Sequence, residues 1–181
     1  MKLGHEFSRY ADAIDEARLG RLKALGVTGA GMARAGLVGV ARIETDGSHW
    51  QPEESGTPAL IIPAGIDNGF SSIVDMIALQ TSTPDIWWSR TGFSAMLGFD
   101  SLSRCMFYGT QLTIHANPLD WLKSDCEGIC LLDWNRYLPM WLSGIQSIYC
   151  PDPSTGEKLS AALTQNIFLP EIRVGDIQHA A

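Results

Sequence analysis

The stretch between residues 111 and 150 limits the choice of fold more than any other part of the chain. Two short apolar runs, QLTIH (111–115) and ICLLD (129–133), enclose residues 116–128, a gap of thirteen. That gap exceeds any tight hairpin turn and suffices for a helical crossover, so the two runs are read as parallel strands. Helix punctuation stands at both ends of it: Asn117 as N-cap, Pro118 at the first helical position, Asp120 in the first turn and Gly128 as the stop. WNRYLPMWLSG follows, with Asn135 as a cap, apolar Leu138, Trp141 and Leu142, and Gly144 as terminator; IQSIYC (145–150) is then a third strand. After the turn PDPSTG, Leu159, Leu163 and Ile167 recur four residues apart on a final helix. The expected order over about 111–169 is βαβαβα.

The first part, about 1–110, reads as less regular. Phe7, Tyr10, Ala11, Ile14, Leu22 and Leu25 share one side of a 3.6-residue period, which predicts an amphipathic helix over 6–25. Arg18 and Arg21 fall inside that stripe, and their long stems are expected to run along the core edge with the charges in water. VTGAGMARAG lacks the Lys-Ser/Thr pair of a phosphate loop and the third glycine of a dinucleotide fingerprint, so Thr28 is read as the cap of a short helical turn. LVGVARIE (37–44) and TPALIIPAG (57–65) predict neighbouring strands, joined by an exposed loop at 45–56 whose Trp50 folds back onto the sheet. IVDMIAL and IWWSRTG predict two more strands, the adjacent Trp87 and Trp88 pointing to opposite faces, and FSAMLGFDSLSRCMFYG (93–109) reads as one or two short helices. The whole is expected to be one α/β domain, 1–181, with a mixed sheet.

Composition narrows function by exclusion. The 181 residues carry Asp+Glu 20 against Lys+Arg 13, a formal net charge of −7, which repels a phosphate backbone, so direct nucleic-acid binding is not expected. Acids and bases run through the first residues and no later stretch approaches the ~20 apolar residues of a membrane span, so a cytoplasmic protein with no membrane contact is expected. Cys105, Cys126, Cys130 and Cys150 are expected to be free thiols; the spacing in CEGIC exceeds that of zinc and redox pairs and no His pair accompanies it, so neither a metal nor any other cofactor is assigned.

Two constellations carry what chemistry the chain offers. In open α/β sheets ligands favour the crevice beyond the carboxyl ends of the strands, and the residues expected there are His115, Asp133 and Cys150. A thiol, a base and an orienting carboxylate on one rim suit acyl transfer by a small hydrolase or transferase. Pro151, directly after Cys150, has no N–H to offer an oxyanion hole, and loop and helix-cap roles explain Asp133 and Asn135 better than catalysis does. In the second constellation, if FSAML opens a helix, Arg90, Thr91 and the Gly92 backbone face its N-terminus as a seat for a carboxylate or phosphate, with Trp88 beside it for stacking.

VDMIALQTSTPDIWWSRTGFSAMLG, followed by NPLDWLKSDCEGICLLDW, resembles uncharacterised proteins of prophages and integrated elements in alphaproteobacteria, over roughly residues 60–135. The resemblance lies in the rhythm of Pro, Trp, Arg and Gly positions. It implies an accessory protein of a mobile element and transfers no functional residue. With six Trp, an acidic balance and no catalytic signature, the leading expectation is a protein that acts by binding a protein partner.

Overall fold

The computed structural model describes residues 3–65 and 73–165. Two α/β parts share one core. The first part opens with α1 (Leu3–Asp12), α2 (Glu16–Ala24) and α3 (Gly29–Arg34), followed by β1 (Gly39–Asp46), β2 (His49–Pro52), β3 (Thr57–Gly65), β4 (Ile73–Leu79) and β5 (Trp87–Ser89). These five strands close into a barrel in the order β1-β2-β5-β4-β3, with His49 opposite Ser89 closing the ring in parallel. The second part contains β6 (Met96–Leu97), α4 (Phe99–Tyr108), β7 (Leu112–His115), α5 (Pro118–Lys123), β8 (Ile129–Leu131), α6 (Leu138–Leu142), β9 (Ile148–Tyr149) and α7 (Pro153–Gln165). Its sheet runs β6-β8-β7-β9, with β7 parallel to both β8 and β9 and β6 antiparallel to β8. The α/β class, the mixed sheet and the N-terminal helix are as the sequence predicts, and so are the parallel strands on either side of α5. Asn117 caps that helix, accepting from the Asp120 amide at 2.9 Å.

Five local expectations need correction. Asn135 does not cap α6: that helix starts at Leu138 with Tyr137 at the cap position and no side-chain cap bond, and the Asn135 amide donates to Asp133 instead. The helix expected over 6–25 is two helices, because Asp15 caps a new start: its side chain accepts from the Arg18 amide at 2.8 Å. The segment 45–56 is not all loop: residues 47–48 make a two-residue turn and β2 pairs with β1 from Asp46↔His49 to Ile43↔Pro52. FSAML is not helical either. Met96 and Leu97 pair with Leu131 and Cys130 as β6, and Gly98 at φ 81 turns the chain into α4. Lastly, the turn PDPSTG is already helix from Pro153, where the Asp152 carboxylate accepts the Thr155 amide at 2.8 Å. Leu159 and Leu163 of that helix face the second core; Ile167 lies outside the described residues.

Strand alternation sorts the apolar residues into layers. One face of the barrel strands gives Ile43, Ala59, Ile61, Met76 and Ala78, which pack with Trp50 and with Phe7 and Tyr10 of α1. The other face gives Leu60, Ile62, Ile77 and Leu79, which pack with Val38 just before β1, Leu22 of α2, Leu119 and Leu122 of α5, and Leu97 and Cys130 of the second sheet. Trp87 joins this shared core and Trp88 the first, one indole on each side as expected. The far face of the second sheet, with Leu112, Ile114, Ile129 and Leu131, is covered by Leu102 of α4, Leu138 and Leu142 of α6, and Leu159 of α7. At Gly39 helix α1 comes so close that a Cβ there would stand 2.7 Å from the Tyr10 carbonyl carbon.

Candidate functional site

The turn after β5, which the sequence marks as a seat for an anion, already holds one: the side chain of Asp75. This aspartate is the one charged residue in the β4 run IVDMIAL and has no solvent exposure. Its Oδ1 accepts from the amides of Met76 (2.8 Å), Arg90 (3.0 Å) and Thr91 (2.9 Å). Oδ2 accepts from the Ser89 hydroxyl (2.5 Å) and the Ser94 amide (3.2 Å). A buried carboxylate is tolerable only when its lone pairs are filled, and five donors fill them here. Thr91 donates its hydroxyl to the Val74 carbonyl at 2.9 Å, so Thr91 too is committed to the turn.

The Arg90 side chain points the other way, into the end of the barrel. Its Nε lies 3.1 Å from Oε1 of Glu6, which is buried, and its guanidinium stands 5.5 Å over the Trp50 ring. Tyr10 donates its hydroxyl to the same Glu6 oxygen at 2.8 Å, and burial together with Glu6 pushes that hydroxyl's pKa upward. Trp50 donates Nε1 to the Met76 carbonyl at 2.9 Å. Glu6, Tyr10, Trp50, Asp75 and Arg90 thus form one polar knot that ties α1, β2, β4 and the turn after β5 together. Trp88 packs against the same core beside this knot. Sequence reading missed Asp75 and Glu6. The signal for Asp75 was there, a lone acid inside an otherwise apolar strand.

Of the three residues expected at the strand ends, the sheet itself separates His115 from Cys150. His115 stands opposite Cys130, and both belong to the face turned toward the shared core. Leu112, Ile114, Ile129 and Ile148 occupy the opposite face, and Cys150 packs with them. The His115 Nε2 is 2.8 Å from the Glu127 carbonyl and 3.0 Å from the Ser124 hydroxyl. Burial, and then the charge of Asp152, raise the pKa of the Cys150 thiol, away from the thiolate a nucleophile needs. Asp133 accepts from the Asn135 amide (3.0 Å) and from Arg136 Nε (3.2 Å). Among the described residues no hydrogen bond joins His115, Asp133 and Cys150.

What the structure does bring together is one member of each constellation. Arg136, held by Asp133, donates Nη2 to the Gly92 carbonyl at 3.0 Å, so the loop after β8 braces the Asp75 turn. All four cysteines are free; burial pushes Cys126 up to about 12 and Cys130 higher still. Among the described residues no group of three or more His, Cys, Asp or Glu is placed to hold a metal ion, and no helix is long and apolar enough to cross a membrane.

Of the exposed large apolar side chains, which include Phe93 and Met140, three stand side by side at the end of α4. Met106, Phe107 and Tyr108 are consecutive and 45%, 82% and 70% exposed. The rings of Phe107 and Tyr108 meet edge to face with centroids 4.9 Å apart, and Gly109 in the left-handed region stops the helix immediately after them. Tyr108 also walls a cleft of about 320 Å³ together with Arg104 and Glu127, which are joined at 3.2 Å. Three consecutive large apolar residues cannot all lie on one stripe of a helix, and RCMFYG carried that signal in the sequence. Comparison with family models, with curated proteins and with solved structures finds no match for this chain.

Proposed function

We propose that this protein acts by binding another protein, and that the end of α4 is its contact surface. The observation that carries the reading is the exposed Phe107–Tyr108 pair with Met106 beside it. Large rings exposed side by side and fixed against each other lose little freedom on binding, which suits them as anchors. The cleft beside Tyr108 offers room for a partner side chain next to those anchors. The net charge of −7 favours a partner with a basic surface around the pocket that receives Phe107. An accessory role in a mobile element, which the resemblance at residues 60–135 implies, fits a protein of this kind.

The test is a photo-crosslinking side chain placed at position 107, followed by purification of the protein captured. The expected result is one dominant adduct whose isolated partner binds the unmodified chain, more weakly at higher salt, and at least tenfold more weakly to a Phe107→Ala, Tyr108→Ala double variant. Equal binding of that variant would overturn the reading. So would sedimentation showing that the surface is used to pair two copies of this chain.

A further inference from the structure

Arg18 and Arg21, which the sequence places inside an apolar stripe, line a cleft together with a third arginine. Asp15 sets the geometry: it caps α2 and also holds the Arg18 guanidinium at 2.6 Å. Arg18, Arg21 and Leu22 then stand at i, i+3 and i+4, on one side of α2. Facing them is the barrel seam where Val40 pairs with Leu60 and Arg42 with Pro58. Between helix and seam lies a cleft of about 340 Å³. Its floor is apolar and buried, formed by Leu22, Leu60 and Leu79. Its exposed rim carries Arg18, Arg21 and Arg42.

In a chain with Asp+Glu 20 against Lys+Arg 13, every charged residue lining this cleft among the described residues is an arginine. Like charges gathered at a concave, partly apolar wall focus a positive potential there. Snorkelling accounts for the stems of Arg18 and Arg21 but not for Arg42, which reaches the same rim from a strand. Among the described residues the Arg21 and Arg42 guanidinium groups make no ion pair and no hydrogen bond, so two planar forks of donors stand unused above an apolar floor. The volume is that of a small-ligand pocket.

We infer that this cleft binds a small amphipathic anion, an aliphatic chain laid on Leu22, Leu60 and Leu79 with a carboxylate head between Arg21 and Arg42. The inference does not depend on the α4 surface, which belongs to the other half of the molecule. An aliphatic carboxylate is available as a free acid, while an aliphatic chain under an anionic head also occurs in a lipid bilayer; the free form is the one proposed.

The test titrates the full chain calorimetrically with decanoate, with decanol, with acetate and with phosphatidylglycerol vesicles. Decanoate is expected to bind with a stoichiometry of one, at least tenfold tighter than decanol or acetate, while the vesicles bind no more than neutral ones do. Amide resonances of Leu22, Val40, Leu60 and Leu79 are expected to shift. An Arg21→Gln, Arg42→Gln double variant, whose substituted side chains are exposed and whose melting temperature serves as the folding control, should lose tenfold or more in affinity. Decanol binding as tightly as decanoate, shifts elsewhere, unchanged affinity in the variant, or binding to vesicles alone would each overturn it. The decanol comparison uses the unaltered protein and stands whether or not the variant folds.

Discussion

The two ends of this molecule treat polarity in opposite ways. At the end of the barrel, charges are inside: Asp75 has no exposure, Glu6 is buried, and Arg90 is held between Glu6 and Trp50. At the end of α4, rings are outside: Phe107 and Tyr108 stand in solvent although the core of the same half is filled with Leu, Ile and Met. A buried charge is costly unless every partner is in place, so the knot serves to fix one geometry. An exposed ring is unspent binding surface. The difference separates an end built on fixed polar contacts from an end that leaves rings in solvent, and it changes the sequence reading of Arg90 and Thr91, which look like a ligand seat there and are committed to the turn in the structure.

The sharpest way to break this comparison is to empty the knot. Asp75→Ala leaves the amides of Met76, Thr91 and Ser94 without the Asp75 acceptor, while the Arg90 amide keeps its bond to the Met76 carbonyl, and is expected to cost about 3–5 kcal/mol, enough to unfold a marginal domain. Asp75→Asn keeps the shape and one acceptor oxygen and is expected to cost roughly half as much. Urea unfolding followed by tryptophan fluorescence measures both. A change under about 1 kcal/mol for the alanine variant would mean that the turn is held by something else.

Next in size is the contact that seats α1 on the barrel. Gly39→Ala puts a methyl group 2.7 Å from the Tyr10 carbonyl carbon and Cβ, which forces α1 away from β1 and stretches the Arg90–Glu6 pair. The expected loss is about 1–3 kcal/mol, the usual cost of overpacking. Hydrogen exchange should show the α1 amides opening first, whereas uniform acceleration over the whole chain would count against a local lever.

The third prediction tests the other end. Phe107→Ala is expected to change the unfolding free energy by less than about 0.5 kcal/mol, because a side chain 82% exposed has little burial to lose. A destabilisation above 1 kcal/mol would move Phe107 from free surface to architecture and weaken the comparison.

Why the sequence revealed one half better than the other follows from where the deciding contacts lie. Asn117, Pro118 and Asp120 act within one helical turn, and the bond from the Asp120 amide to Asn117 is made by neighbours, so the α5 crossover was legible. Thr28, which caps α3 by accepting the Gly31 amide at 2.9 Å, was legible for the same reason. Strand β2 was not. That Trp50 folds back onto the sheet was expected, but the strand that carries it is fixed by distant partners: the indole reaches the Met76 carbonyl, 26 residues away. The His115 and Cys150 constellation failed on a parity that no local pattern fixes: Leu112↔Ile148 sets Cys150 on the face of Ile114, and His115 is the next residue along.

The smallest effect sharpens the comparison by asking what a carboxylate does outside the core. Asp152 stands before α7 and accepts from the Ser154 hydroxyl (2.6 Å), the Thr155 amide (2.8 Å) and the Thr155 hydroxyl (2.8 Å). Those bonds favour its ionised form and hold its pKa down at about 2 against an ordinary 3.8. A lowered pKa in the folded state means that the bonds stabilise α7 fully above about pH 4 and stop doing so as pH falls toward 2. Asp152→Asn removes the titration but leaves a capping oxygen. The gap in melting temperature between the natural chain and this variant is therefore expected to be constant from neutral pH down to about 4 and to close toward pH 2, with the other acids cancelling in the difference. Circular dichroism melts across that range measure it. Unlike Asp75, whose bonds join elements far apart in sequence, Asp152 touches only residues two and three places ahead, so its loss should loosen one helix end and leave the barrel knot intact; a gap that stays constant down to pH 2 would show that its charge contributes nothing to the cap.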